Sequence, residues 1–245
     1  MTTETAPVLQ GIELKKTYRS KDRTVEALKG VSFGVMPGEI FGIVGESGSG
    51  KSTLLRMISG IEHPDSGRLL HNGIDYTGST PGQTGRFLQV IFQDAYGSFD
   101  PHLTMRKSLM ECSNATMSEA ELMIKKVGLD VELLDRRPKL LSGGQCQRMA
   151  IARALLTHGD ILLCDEITSA LDVTTQAQVV ELITDLNSTE DVAIVFVSHD
   201  IALVSNICNR IMVLNNGDVV DEGITSEVIA HPTHEYTKRL LDAVI

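Results

Sequence analysis

Gly45-Glu46-Ser47-Gly48-Ser49-Gly50-Lys51-Ser52 follows the apolar run Ile40 to Val44 and leads straight into a helix-forming stretch, Lys51 to Gly60. The octapeptide fits G-x-x-x-x-G-K-[ST], and a strand before it with a helix behind it is the setting that pattern requires. On average composition such a match arises by chance in roughly one chain in a hundred of this length, before strand and helix are demanded. Glycines at 45, 48 and 50 let the backbone curl so that successive N–H groups turn inward, and the helix N-terminus adds its positive end. The expected nucleotide contacts are therefore Gly45, Glu46, Ser47, Gly48, Ser49, Gly50, Lys51, Ser52 and Thr53. Lys51 is placed to reach the β- and γ-phosphates, and Ser52 to ligate Mg²⁺.

A phosphate loop needs a metal-holding carboxylate on a neighbouring strand. Ile161-Leu162-Leu163-Cys164-Asp165-Glu166 supplies four apolar residues that end in two acids. A buried strand that delivers carboxylates at its C-terminal end suits the crevice where open α/β sheets bind ligands. Asp165 is the expected Mg²⁺ ligand, and Glu166 the expected base for the water attacking the γ-phosphorus. Strand-end acids on their own are commonly caps or solvated charges. Beside a phosphate loop they read as catalytic.

Around these motifs the first ninety residues read as short strands, Leu9–Tyr18, Ala27–Val35, Glu39–Val44, Arg68–Asn72 and Phe87–Phe92, interrupted by the single strong helix after the loop. The middle reads as helical. Ser118 and Glu121 form a Ser-x-x-Glu opening for a helix that runs to Val127, and a second helix spans about Gly143 to Leu156. Strand and helix then alternate through Asp160–Asp165, Thr174–Leu186, Val192–Ser198 and Ile201–Cys208, the βαβ rhythm of a parallel sheet.

Composition narrows the class. With 245 residues the chain is long enough for one large α/β domain, and its 22 Lys+Arg against 32 Asp+Glu leave a formal charge of −10. That charge disfavours nucleic acid as a partner. Hydrophobic residues make up 42% and aromatic residues 4%, so the core is expected to be largely aliphatic. No apolar run approaches the ~20 residues of a spanning helix, and Met1–Gln10 lacks the basic and apolar segments of a secretory leader. The four cysteines, Cys112, Cys146, Cys164 and Cys208, are scattered without a C-x-x-C pair and are expected as buried or half-buried free thiols in a cytosolic chain.

Leu141-Ser142-Gly143-Gly144-Gln145 resembles the signature motif of ATP-binding-cassette (ABC) ATPases and sits before a helix as it does in that family. The resemblance runs from about Leu9 to Val244. It implies an α/β fold, a P-loop NTPase (RecA-like) core with an antiparallel β subdomain and an inserted helical subdomain. One ABC ATPase domain over 1–245 is expected, with 1–93 and 157–245 as the nucleotide-binding core and 94–156 as the helical signature subdomain. It further implies that Ser142, Gly143, Gly144 and Gln145 meet the γ-phosphate of a second cassette, so that a lone copy is a poor ATPase. Tyr18 is similar to the aromatic that stacks on adenine, and Gln93 to the glutamine that touches Mg²⁺ and the attacking water. Ser169-Ala170-Leu171-Asp172 resembles the loop that crosses the dimer interface, with Asp172 also suited to capping a helix. His199 resembles the switch histidine at the γ-phosphate. The catalytic set is thus Glu166, His199, Lys51 and Gln93, and the metal set Ser52, Gln93 and Asp165.

Gln93-Asp94-Ala95-Tyr96-Gly97-Ser98-Phe99-Asp100-Pro101 and Thr168 to Val179 are similar to the cassettes of peptide and nickel importers. His231-Pro232 with Tyr236-Thr237 resembles that group's C-terminal His-Pro-Tyr-Thr mark, here split by Thr233-His234-Glu235. Ala95 stands where the group usually has proline, and the sequence ends at Ile245 where many members carry a longer tail. His231 and His234 are read as residues of a turn and helix start rather than as metal ligands. The resemblance implies ATP and Mg²⁺, two transmembrane permease subunits, a second ABC ATPase subunit (a paralogue sooner than an identical copy) and, indirectly, a solute-binding protein. The implied place is the cytoplasmic face of the cell membrane, and the cargo a peptide, nickel or a metal-chelator complex. The rival is a soluble ABC-type ATPase that closes as a clamp without transport. Such proteins usually carry two cassettes in one chain or a long coiled-coil insert, and neither feature is readable here.

Overall fold

The computed structural model describes residues 6–20 and 23–243. Part of the Met1–Gln10 stretch, the ends of the expected 1–245 span and Val244 lie outside the described residues. Two sheets organise the chain. In the first half it forms β1 (Leu9–Arg19), β2 (Thr24–Val35), β3 (Ile40–Val44), α1 (Lys51–Ile58), β4 (Ser66–His71), β5 (Ile74–Asp75), α2 (Pro81–Thr84) and β6 (Leu88–Ile91). The middle adds α3 (Met105–Glu111), α4 (Met117–Lys126) and α5 (Gly143–Leu155), with two short 3-10 turns and no strand. The last part is β7 (Ile161–Asp165), α6 (Val173–Glu190), β8 (Ala193–Ser198), α7 (Ile201–Ile207), β9 (Arg210–Asn215), β10 (Asp218–Ile224), α8 (Thr225–Ala230) and α9 (Glu235–Asp242).

The smaller sheet is antiparallel, in the order β2-β1-β4-β5. The larger has six strands in the order β10-β9-β3-β8-β7-β6, parallel throughout except for β10 at its edge. Its inner strands β3, β7, β8 and most of β9 are buried on both faces, which is why they read as continuous apolar runs. Period-two alternation divides their side chains between two cores. Ile40, Val44, Leu162, Cys164, Ile194, Phe196, Ile211 and Val213 pack with the helices. Phe41, Ile43, Ile161, Leu163, Val195, Val197, Met212 and Leu214 pack with α1 and the antiparallel sheet.

Two expectations are corrected, and two elements are added to those read from the sequence. The helix after residue 115 opens on Thr116, not Ser118: the Thr116 hydroxyl accepts from Glu119 N–H while the Glu119 carboxylate accepts from Thr116 N–H, a capping box two residues upstream of the one anticipated. Cys112 is exposed, because it follows the last turn of α3 where that helix leaves the core; the other three thiols are buried. Burial pushes the Cys146 thiol up to about 12. The phosphate-loop helix is joined in the first ninety residues by the short α2, whose Thr80 and Gln83 cap each other. Finally, the β9–β10 hairpin was not anticipated. Its turn is Asn216-Gly217, both with left-handed φ (50° and 85°), the pairing that a two-residue hairpin favours.

Candidate functional site

The parallel strands end on one side of the sheet, and the phosphate loop, Glu166, His199 and Gln93 follow those ends. Val44 pairs with Ser198, and Asp165 with Val197, so the segments beginning at Gly45, Glu166 and His199 emerge side by side. Gln93 follows β6 at the far edge and is exposed. This is the C-terminal crevice of an open α/β sheet.

The phosphate loop is a glycine-rich arc held from several directions. Gly45, Gly48 and Gly50 have φ of 159°, 82° and 115°. A Cβ at Gly50 would come within 2.6 Å of the Ala27 carbonyl oxygen, whereas one at Gly48 meets nothing within 4 Å and would project into open space. Ser49 Oγ is buried without a hydrogen-bond partner among the described residues. The Lys51 ammonium donates to the carbonyl oxygens of Gly45 (2.6 Å) and Glu46 (3.0 Å). Burial lowers the Lys51 pKa below its usual value, against the opposing pull of Glu166, Asp165 and Glu46. Burial likewise raises the Asp165 carboxyl, helped by the nearby Glu166 and opposed by Lys51 and Arg56.

A cleft of about 720 Å³ opens beside the loop, bordered by Ser47, Gly48, Gly50, Lys51, Ser52 and Thr53 together with Tyr18, Glu166 and His199. Its volume is that of a nucleotide-sized ligand site. Glu166 Oε2 lies 3.4 Å from His199 Nδ1. Tyr18 is half-exposed, with its hydroxyl 3.4 Å from Thr53 Oγ1 and a second hydrogen bond to the Glu62 carboxylate. Burial and the Glu62 bond raise the phenol pKa. Asp165 borders a smaller depression of about 160 Å³ that also includes Ser52, so Ser52 lies between the two. Open space over Gly48, which a Cβ would enter, and a lysine beside two carboxylates suit a phosphorylated ligand with a divalent cation.

Several predicted residues are absent from the cleft wall. Gly45, Glu46, Ser49, Gln93 and Asp165 do not border it, and the Glu46 N–H donates to the Tyr236 hydroxyl at 2.8 Å. Ser142, Gly143, Gly144, Gln145 and Asp172 do not border the cleft either. They lie together elsewhere: a Cβ on Gly144 would come within 2.4 Å of Thr175 Cγ2. Ser142 caps α5, with its hydroxyl accepting from Gln145 N–H and the Gln145 side chain accepting from Ser142 N–H. Asp172 caps α6 by accepting from Thr175 N–H at 3.0 Å. His234 caps α9, its Nδ1 accepting from Tyr236 N–H.

Sequence reasoning missed the antiparallel wall of the cleft, formed by Arg23, Thr24, Val25, Glu26, Ala27 and Lys29, and Asn216 on the β9–β10 turn. The first group carries no motif, since strand register alone brings it there. Asn216 had a readable signal in its Asn-Gly turn.

Residues 28–169 match the family model described as ABC transporter. The chain is similar to the dipeptide transport ATP-binding protein DppF of Escherichia coli, at 40% identity over 97% of this chain and 76% of that protein. Among solved structures it is similar to cbiO1 of Clostridium perfringens, part of the ABC transporter complex cbiONQ, with TM-score 0.81 and 28% identity over 92% of each chain. It is also similar to the dimeric, post-hydrolysis ATP-binding cassette MJ0796 bound to ADP and Pi, with TM-score 0.77 and 30% identity over 89% of this chain and 98% of that one.

Proposed function

The chain belongs to the ABC transporter family, and from that premise we propose how its residues share the work of ATP hydrolysis and what its transporter moves. It is the ATP-hydrolysing, nucleotide-binding subunit of such a transporter, with a RecA-like P-loop core, an antiparallel β-sheet and a helical insertion. In our reading 1–93 and 157–245 form the nucleotide-binding core and 94–156 the signature subdomain.

Tyr18 packs on the adenine ring. The N–H groups around Gly48 and Gly50 and the Lys51 ammonium take the β- and γ-phosphates, and Ser52, Asp165 and Gln93 hold Mg²⁺. When bound, Mg²⁺ neutralises charge on the phosphate oxygens. Glu166 accepts the proton of the attacking water, and His199, beside it, orients water and γ-phosphate. Ser142, Gly144 and Gln145 reach the nucleotide of a second cassette, with Asp172 at the interface between them.

The observation that carries this reading is the make-up of the cleft. Lys51, Ser52, Glu166 and His199 border it together, while the signature residues do not. In this reading a second cassette completes each site, and the family resemblance favours a paralogue over an identical copy. The likeness to a dipeptide transport ATP-binding protein supports peptide uptake over nickel or a chelate. We further propose that the chain works with two permease subunits and a solute-binding protein, at the cytoplasmic face of the cell membrane.

The test is Glu166→Gln in the transporter reconstituted in vesicles with its solute-binding protein. Dipeptide is expected to stimulate ATP turnover by the unaltered complex. The variant should bind Mg-ATP normally, lose turnover by at least about 100-fold and accumulate the closed dimer. Full turnover by Glu166→Gln would overturn the assignment of the base.

A further inference from the structure

The C-terminal His231 to Thr237 segment has no part in the chemistry above, yet it reaches the phosphate loop. Tyr236 lies in the first turn of α9, is only 4% exposed, and accepts a 2.8 Å hydrogen bond from Glu46 N–H across 190 residues of sequence. The ring belongs to the helical-side core with Val228. Tyr236 does not border the cleft, so it approaches the loop from behind.

What holds Tyr236 there is an anchor on β10. Asp221, 8% exposed, accepts from Thr233 N–H (3.2 Å), Thr233 Oγ1, His234 N–H (3.1 Å) and Thr237 Oγ1. Four donors converge on one carboxylate, and hydrogen bonds to a charged acceptor are among the stronger ones. The residues between Pro232 and Tyr236 supply three of these four donors, two on Thr233 and one on His234, and His234 also caps the helix through Nδ1. The split in the His-Pro-Tyr-Thr mark is thus filled by residues that fix α9 to the sheet.

The loop depends on this support in a particular way. Residues 46–48 are exposed. The Glu46 carbonyl is held by Ser49 N–H and by Lys51, while the Glu46 N–H is held by Tyr236. Phosphate oxygens compete for the Lys51 ammonium and not for the Tyr236 hydroxyl. The Tyr236 bond therefore keeps Glu46 in place in both the empty and the loaded loop.

We propose that Tyr236 is a positioning residue for the phosphate loop: α9, fixed to β10 through Asp221, sets the position of Glu46 and so the arc of N–H groups that receives the nucleotide phosphates. The proposal rests on the reading of the cleft as the nucleotide site.

The experiment compares Tyr236→Phe with Lys51→Ala in the full chain by equilibrium titration with Mg-ATP, thermal unfolding without nucleotide, and steady-state ATPase in the assembled transporter. Phe keeps the ring and removes only the hydroxyl. Loss of one hydrogen bond predicts Mg-ATP binding weaker by about three- to tenfold. KM should rise by a similar factor with kcat nearly unchanged, and the melting temperature of the nucleotide-free chain should fall by no more than the few degrees that one hydrogen bond accounts for. A bond that serves only folding would lower that melting temperature and leave affinity and KM alone, which overturns the proposal. If Lys51→Ala binds Mg-ATP as well as the unaltered chain, the nucleotide reading itself has failed. If Lys51→Ala loses binding and Tyr236→Phe does not, only the positioning role has failed. Should Tyr236→Phe not fold, Thr237→Val, which removes one donor from Asp221, is titrated in its place. A smaller loss of affinity is then expected, and none would overturn the proposal.

Discussion

Glu166 sits in the left-handed region at φ 47°, a conformation that costs an L-residue about 1–2 kcal/mol. Its surroundings hold it there: Glu166 N–H donates to Val197 O at 3.0 Å, and Ser169 donates to Glu166 O from both N–H and Oγ. Such a backbone turn directly after β7 brings the carboxylate to the wall it shares with His199. Strain kept at a residue of this chemistry points to a functional demand. Glycine adopts positive φ without that penalty. Glu166→Gly is therefore expected to melt no lower than the unaltered chain while losing turnover, and a clear drop in melting temperature would argue that the backbone here is unstrained. The position of this acid was legible in the sequence from the apolar run before it. Its conformation was not, since Asp165-Glu166-Ile167 contains no glycine to announce a left-handed residue.

At the scale of the element, the start of α5 has two employments. Ser142 and Gln145 satisfy each other's backbone N–H groups, so the residues proposed to meet a phosphate in trans also begin the helix in cis. The two roles separate by substitution. Ser142→Ala removes the cap and should cost about 1 kcal/mol of stability. Ser142→Asp restores a good cap but sets a negative charge where the γ-phosphate of a second cassette is proposed to lie. It should therefore fold as well as the unaltered chain and fail to pair on addition of ATP, as read by urea unfolding and by size-exclusion chromatography with Mg-ATP. Normal pairing by Ser142→Asp would remove Ser142 from the shared site. The start of α5 was legible because one serine precedes two glycines. The start of α4 was not, because Thr116-x-x-Glu119 and Ser118-x-x-Glu121 both fit a capping box and both leave Ala120 and Ile124 on the buried side. Helical periodicity cannot choose between them. The earlier cap adds helical hydrogen bonds, and the chain takes it.

Across the whole molecule, the ends of β3, β7 and β8 were legible because each carries a motif, and the alternation of strand and helix implied a parallel sheet but not the order of its strands. Contacts that link distant segments were not, as with Tyr236 on Glu46 or Arg210 bridging Glu39 and Glu222. No local pattern encodes which surface α9 will cover. The cleft also lacks the signature residues of its own chain, so hydrolysis should depend on pairing. The specific ATPase rate of the purified chain is expected to rise with protein concentration, and to rise further when the partner cassette is added. A rate per molecule that is constant across a hundredfold dilution would mean that one copy is sufficient.

The division of the larger sheet's side chains between two cores has a consequence for how the chain tolerates change. Ile43 and Phe196 lie on adjacent strands yet belong to different clusters. Substitutions more than about 7–10 Å apart that share no packing partner tend to combine additively, which neighbours such as these do not satisfy but well-separated sites in the two clusters do. Changes deep on the helical side are thus expected to leave the packing around α1 little altered. The sheet serves as a partition between two separately packed interiors.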